Sequence, residues 1–322
     1  MKFLKSLIVY LFFFNIIFSL SILDNGVEIF NINGDAQIGA YGGSNPSFIG
    51  INGKIFNNPA LGNLVINDIV SFTFRNHYSG IAKDHIFSTG IKQNFFNSLS
   101  IGVIYRQIED IPNTLNAFYW DGNVLEPNYD LITTFNHWEL ATIFSISSNI
   151  SDYQFGINLK TLMYSILNEK AYGIGFDAGL IHNLNNQIKI GIVLKNFPTM
   201  YIRWTTKREE IVLPQLGLGI NYSKSKLNLG TGIQIDLSDK MKSKNLVFNS
   251  GIKYNILKDI DLIMGYNNQS SHSMGIEIKS QIFIINYSYI RSSRKTPFKS
   301  SHEMTLSFDM DEINKLSDYI NP

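Results

Sequence analysis

The sequence predicts an all-β fold: a transmembrane antiparallel β-barrel of about fourteen strands with an N-terminal hatch in its lumen. Three observations carry that reading. The chain opens with an export leader, alternates with period two from residue 69 onward, and has a polar face rich in Gly, Asn and Ser where a water-facing sheet would carry Lys and Glu.

Residues 1–21 form the leader. Lys2 and Lys5 give a positive start, Leu7 to Phe18 an apolar core, and Ser19-Leu20-Ser21 a small-x-small cleavage pattern, so cleavage is expected after Ser21. That apolar core is shorter than the roughly 20 residues a spanning helix needs. No later stretch suits a spanning helix either, so residence in a membrane requires a barrel. The expected location is the cell outer membrane.

Residues 22–68 do not alternate. They are dense in turn residues, with Gly39, Gly42, Gly43, Asn58-Pro59 and Gly62, yet they also carry Phe30, Ile38, Phe48, Ile55 and Phe56. An irregular segment with that many apolar side chains needs somewhere to bury them. The inside of a wide barrel offers it, together with partners for the backbone. The segment therefore reads as a hatch, with Asn58-Pro59 in a fixed turn.

Residues 69–312 form the expected barrel. From Leu227 to Leu237 the odd positions are Leu, Leu, Thr, Ile, Ile and Leu, and the even ones between them are Asn, Gly, Gly, Gln and Asp. Such segments recur at 69–80, 85–94, 98–112, 137–150, 153–167, 171–184, 188–200, 212–225, 226–238, 245–257, 260–268, 271–280, 283–293 and 302–312. Most run 9 to 15 residues, longer than the five or six usual in soluble sheets. Short connections after even-numbered strands alternate with longer ones, of which 113–136, 201–211 and 294–301 stand out, as in outer-membrane barrels. Lys160, Asp177, Lys189, Asp236, Lys253, Glu277 and Lys279 fall on the polar, lumen-facing parity. Tyr105, Trp138, Tyr201, Trp204, Tyr222 and Tyr254 lie near strand ends, where aromatic girdles form. Residues 313–322 are expected as a periplasmic tail, with Ile313, Leu316 and Tyr319 at helical spacing.

Composition excludes several classes. Lys plus Arg number 27 against 26 Asp plus Glu, a net charge of +1, which gives no basic excess for nucleic acid. Without cysteine there is no disulfide, thiolate metal site, iron–sulfur cluster or thiol nucleophile. Gly173 to Ala178 spells G-x-G-x-x-A, but the alternation continues to Leu180 where a dinucleotide site would begin a helix. The six histidines lack metal-ligand spacing, and no G-x-S-x-G elbow occurs. The expectation is a non-enzymatic protein with no cofactor and no metal.

The order of several stretches resembles a known family. They are Ala36 to Gly43 (AQIGAYGG), Asn58 to Leu64 (NPALGNL), Ser98 to Ile111 (SLSIGVIYRQIEDI), Gly173 to Leu180, Leu184 to Asn196 and Leu213-Pro214. Together they resemble the PorV/PorQ family of outer-membrane proteins associated with type IX secretion, with a FadL-like barrel fold. The resemblance implies a barrel that binds secreted proteins or cell-surface secretion components and passes them to the attachment machinery. Its other partner would be outer-membrane lipid. Phe118, Tyr119, Trp120, Tyr129 and Trp204 are the candidate partner-binding aromatics, since such groups dominate interface energetics. The alternative is a FadL-like uptake channel for small hydrophobic molecules. That role needs a continuous apolar pocket, and the inner face reads as polar with few exceptions such as Val193 and Val247, which favours export.

Overall fold

A computed structural model describes residues 21–22, 28–48, 50, 54–64, 68–94, 96–120, 125–237, 246–269, 271–291 and 300–320. The leader, Ser21 apart, lies outside the described residues.

The wall is a closed fourteen-stranded antiparallel barrel. Its strands are β1 (Ile69–His77), β2 (Ala82–Lys92), β3 (Ser98–Asn113), β4 (Thr133–Ile150), β5 (Tyr153–Ile166) and β6 (Glu169–Asn183). Two broken strands follow, β7 (Ile188–Lys195 and Met200–Trp204) and β8 (Glu209–Val212 and Gln215–Lys224). The rest are β9 (Leu227–Asp236), β10 (Leu246–Leu257), β11 (Ile260–Asn267), β12 (Ser271–Lys279), β13 (Phe283–Arg291) and β14 (Ser301–Asp309). β14 closes on β1, from His302 opposite Asn76 to Asp309 opposite Ile69. A two-residue segment, Ser21–Ile22, runs parallel to Glu210 and Ile211.

Alternation in the sequence becomes alternation of burial. On β5, Gln154, Gly156 and Asn158 are buried while Phe155 and Ile157 are exposed. Around the wall the outward positions hold Phe72, Phe144, Phe176, Ile220, Met264 and Met304, all exposed. This dry outer belt has no partner within the described residues.

A ring of fourteen strands is wider than wall side chains alone can fill. The N-terminal segment fills it. Helices α1 (Ala36–Ala40) and α2 (Lys54–Asn57), with the 3-10 turns Glu28–Phe30 and Pro59–Leu64, lie inside the ring. Asp35 caps α1, accepting the Ile38 N–H at 2.7 Å. Gly42 and Gly43 follow at φ +96° and +101°, which turns the chain sharply against the backbone of β10 and β11. Asn58 pins the second turn: its Nδ2 donates to Pro46 O at 2.9 Å and to Ile192 O of β7 at 3.2 Å. Wall glycines 156, 179, 191, 251 and 265 leave no room for a Cβ, because plug backbone or Asn58 already occupies that space.

Three features differ from the sequence expectation. The connection expected at 201–211 is mostly strand, leaving only 205–208 as its turn. The one expected at 113–136 narrows to 114–132 and contains a hairpin, Phe118–Trp120 with Leu125–Pro127. The tail begins earlier than expected as helix α3 (Met310–Ile320).

Candidate functional site

The end of the barrel carrying the 114–132 and 205–208 connections is its mouth, and the lumen below it is layered. The top layer is one hydrogen-bonded row running across successive strands: Ser288, Glu303, Arg75, Asp84, Arg106, Glu139, Tyr164, Ala171 and Trp204. Its charges are paired. Arg106 grips Asp84 through Nε and Nη2, at 2.7 and 3.1 Å, and Arg75 Nε meets Glu303 Oε1 at 2.6 Å. His137, Tyr164 and Trp204 form an aromatic chain beside them, with ring centroids 4.4 and 5.3 Å apart.

The next row is apolar where it crosses β2 to β7, and polar on either side, at Thr73 and Thr305 and at Glu210. Ile86, Ile104, Ala141, Leu162, Gly173 and Ile202 form its apolar part, and Ile143, Met200 and Val212 sit just beneath. Plug residues Ile29, Phe30, Ile55 and Phe56 fill the space they surround. The inner face is thus polar over most of its strands, as expected, with an apolar sector from β2 to β8 that exceeds the few exceptions such as Val193. The sequence did hold a signal. At Thr142-Ile143-Phe144, Leu162-Met163 and Met200-Tyr201-Ile202 the alternation gives way to apolar residues on both faces.

Part of that layer depends on a break in the wall. β6 and β7 pair from Asn183–Lys189 to Ala178–Leu194, then resume at Ile174–Tyr201. Six residues of β7 thus face three of β6, and the inward parity of β7 changes from odd to even numbers. β8 changes with it: Gln215 faces Lys195, whereas Val212 faces Met200. Pro198 and Pro214, which lack an N–H for the ladder, sit in the two breaks. The shift brings Met200, Ile202 and Val212 inside. It also turns Trp204 inward, which corrects its place in the girdle; Tyr105, Trp138, Tyr201, Tyr222 and Tyr254 keep outward parity.

A third layer is polar. Lys160 Nζ pairs with Asp177 Oδ1 at 2.7 Å and donates to Asn196 Oδ1, and it stands 4.7 Å from the Phe30 ring centroid. Asn196 N–H donates to Asp177 at 2.9 Å, closing the break from inside. Toward the far end, Lys253 meets Glu277 at 2.6 Å and Lys279 meets Asp261 at 2.7 Å, while Gln37 of the plug donates to Glu277 at 2.5 Å. Lys189 faces the lumen between Asn183 and Asn221, and Asp236 lies opposite Gln215.

The loop aromatics are elsewhere. Phe118 and Tyr129 are exposed, the latter at 74%, and Tyr119 and Trp120 share the short strand with Phe118. Among the described residues no group of three or more His, Asp or Glu is arranged to hold a metal ion.

No protein-family model matches the sequence, and no curated protein matches it. Solved structures do. The toluene transporter TodX of P. putida superposes with a TM-score of 0.60 at 12% identity, covering 85% of this chain and 97% of that one. The fold is shared. A FadL homologue from Pseudomonas aeruginosa gives 0.54 at 10% identity, over 85% of this chain and 98% of that one. The monoaromatic hydrocarbon channel CymD gives 0.54 at 12% identity, over 85% and 95%. The FadL-like part of the expected resemblance is therefore seen in three dimensions, whereas the narrower PorV/PorQ likeness has no counterpart in these comparisons.

Proposed function

We propose that the chain is a non-enzymatic outer-membrane channel that takes up small hydrophobic molecules. The observation that carries this is the apolar layer beneath the mouth. It supplies what the sequence alone did not, a dry inner surface where an apolar molecule can leave water. The barrels of similar fold are described as a toluene transporter and a monoaromatic hydrocarbon channel, which supports the same reading. In this structure plug residues Ile29, Phe30, Ile55 and Phe56 occupy the layer, so passage requires them to move aside. The break in β7, held by Phe197 N–H to Phe176 O at 2.8 Å and by the Asp177 contact, is where the wall beside this layer has fewest ladder bonds.

The test is uptake of radiolabelled toluene by cells whose outer membrane contains the protein. Uptake should rise above that of cells lacking it. Leu162→Asp, which places a charge in the apolar layer, should cut that uptake at least tenfold. Equal uptake with and without the protein would sink the channel reading.

One observation favours a second reading. Leu115, Phe118, Tyr129 and Leu131 are all exposed on the 114–132 connection, apolar side chains of the kind that dock exported proteins. Replacing Phe118, Tyr119 and Trp120 together by Ala should then reduce co-purifying secreted proteins at least tenfold. Retention of every partner at wild-type yield would rule this surface out.

A further inference from the structure

Large apolar side chains do not cover the outer wall evenly. One hydrogen-bonded row of outward positions runs Ile220, Thr231, Ser250, Tyr266, His272 and Arg291, across β8 to β13. Thr231 and Ser250, both small, stand side by side in it. With the backbone of Gly230, Gly251 and Gly265 they floor an open groove of about 570 Å³. Ile220, Leu229, Ile252 and Met264 wall it, and all four are exposed. The Thr231 hydroxyl is satisfied within the wall, since Oγ1 donates to Asn249 O at 2.9 Å.

The row climbs as it crosses the strands. Ile220 lies in the lower half of β8, close to its far end at Lys224, whereas Arg291 is the last residue of β13, at the mouth. Tyr266 and His272 stand between them, with ring centroids 5.5 Å apart. The groove thus rises from the apolar belt to a rim that ends in a cation. Arg291 and His272 are exposed, and among the described residues Arg291 has no ion pair. The acids of the neighbouring strands point the other way: Glu277 and Asp261 face the lumen, where they hold Lys253 and Lys279. In sequence, residues 292–299 carry Arg294, Lys295 and Lys299 and no acid.

An apolar groove that ends at an unpaired cation, on a lipid-facing wall, meets both needs of a phosphorylated lipid. The chain finds a dry channel, and the phosphate finds a guanidinium whose forked donors match its oxygens. Two strand spacings, about 10 Å, separate Tyr266 from Arg291. The arginine side chain and the glycerol backbone of a lipid together span that gap. We propose that the outer wall over β8 to β11 holds one lipid of the surrounding leaflet, with an acyl chain in the groove and its phosphate on Arg291, beside His272. The inference concerns the membrane-facing surface and stands apart from what the lumen carries.

The experiment is native mass spectrometry of the purified full-length barrel in detergent, titrated with dipalmitoylphosphatidic acid or with dipalmitoylglycerol. The two probes differ only by the phosphate. The wild type should bind one phosphatidic acid at least about tenfold more tightly than the diacylglycerol. Arg291→Gln should bring that ratio close to one. Ser250→Phe, which fills the groove floor with an apolar ring on the lipid face, should weaken both probes severalfold. Heat-modifiable gel mobility reports that each variant is folded. Equal binding of both probes by the wild type overturns the phosphate site and the proposal with it. A preference that Arg291→Gln retains places the phosphate elsewhere and overturns the assignment. Unchanged binding by Ser250→Phe shows that the chain does not use the groove, which overturns it as well. A dimer that Ser250→Phe dissolves would put a second copy of the barrel in the groove in place of the lipid.

Discussion

Ile233 and Gln234 show how much of this molecule is decided one residue at a time. Ile233 is 37% exposed on the outer face of β9, and Gln234 points inward, its Nε2 donating to Gln215 at 2.7 Å. Ile233→Lys places an ammonium in the apolar belt and should cost about 2–4 kcal/mol of barrel stability if the position is near mid-depth. Gln234→Lys should be tolerated better, since the lumen already accommodates Lys195 and Lys253. Urea titration of each variant folded into lipid vesicles measures both, and the reverse order would mean the faces are misassigned. This parity was legible from sequence because a strand puts successive side chains on opposite faces. Lys160, Asp177 and Glu277 were read as inward on that ground, and their ion pairs bear on that placement. Trp204 was misplaced because parity is only legible while the ladder is unbroken.

At the scale of elements, the β7–β8 hairpin is where sequence reading stops. Alternation identifies strands, but it cannot say how many residues a bulge adds, and an odd number reverses every face beyond it. The break makes Met200, Ile202 and Trp204 inward although Met200 stands an odd number of residues after inward Lys195. The protein has no cysteine, so single Tyr201→Cys and Ile202→Cys variants report the faces cleanly. The thiol at 201 should react with a membrane-confined maleimide and the thiol at 202 should resist it. The opposite labelling would show that the break does not reverse the faces. The apolar layer was missed for the same reason: three of its members, Met200, Ile202 and Val212, lie beyond the two breaks. The plug, by contrast, announced itself through apolar side chains in a stretch without any period.

For the whole molecule, wall and plug make separable demands. Deleting residues 22–66 should leave a barrel that still inserts but conducts ions far more freely across planar bilayers, because the lumen loses the chain that fills it. Conductance equal to wild type would mean the segment contributes nothing to the seal. The plug also imposes an order of events on assembly. Ala36 N–H donates to Thr305 Oγ1 across a sequence separation of 269 residues, and Gln37 reaches Glu277 across 240. Residues made early are thus held by strands made more than two hundred residues later. Those same last strands supply the β14–β1 seam. Contacts so distant along the chain are slow to form, because the loop they close must be ordered before they repay it. Sealing β14 against β1 is the step that encloses the plug, since β14 both holds Ala36 and forms the seam.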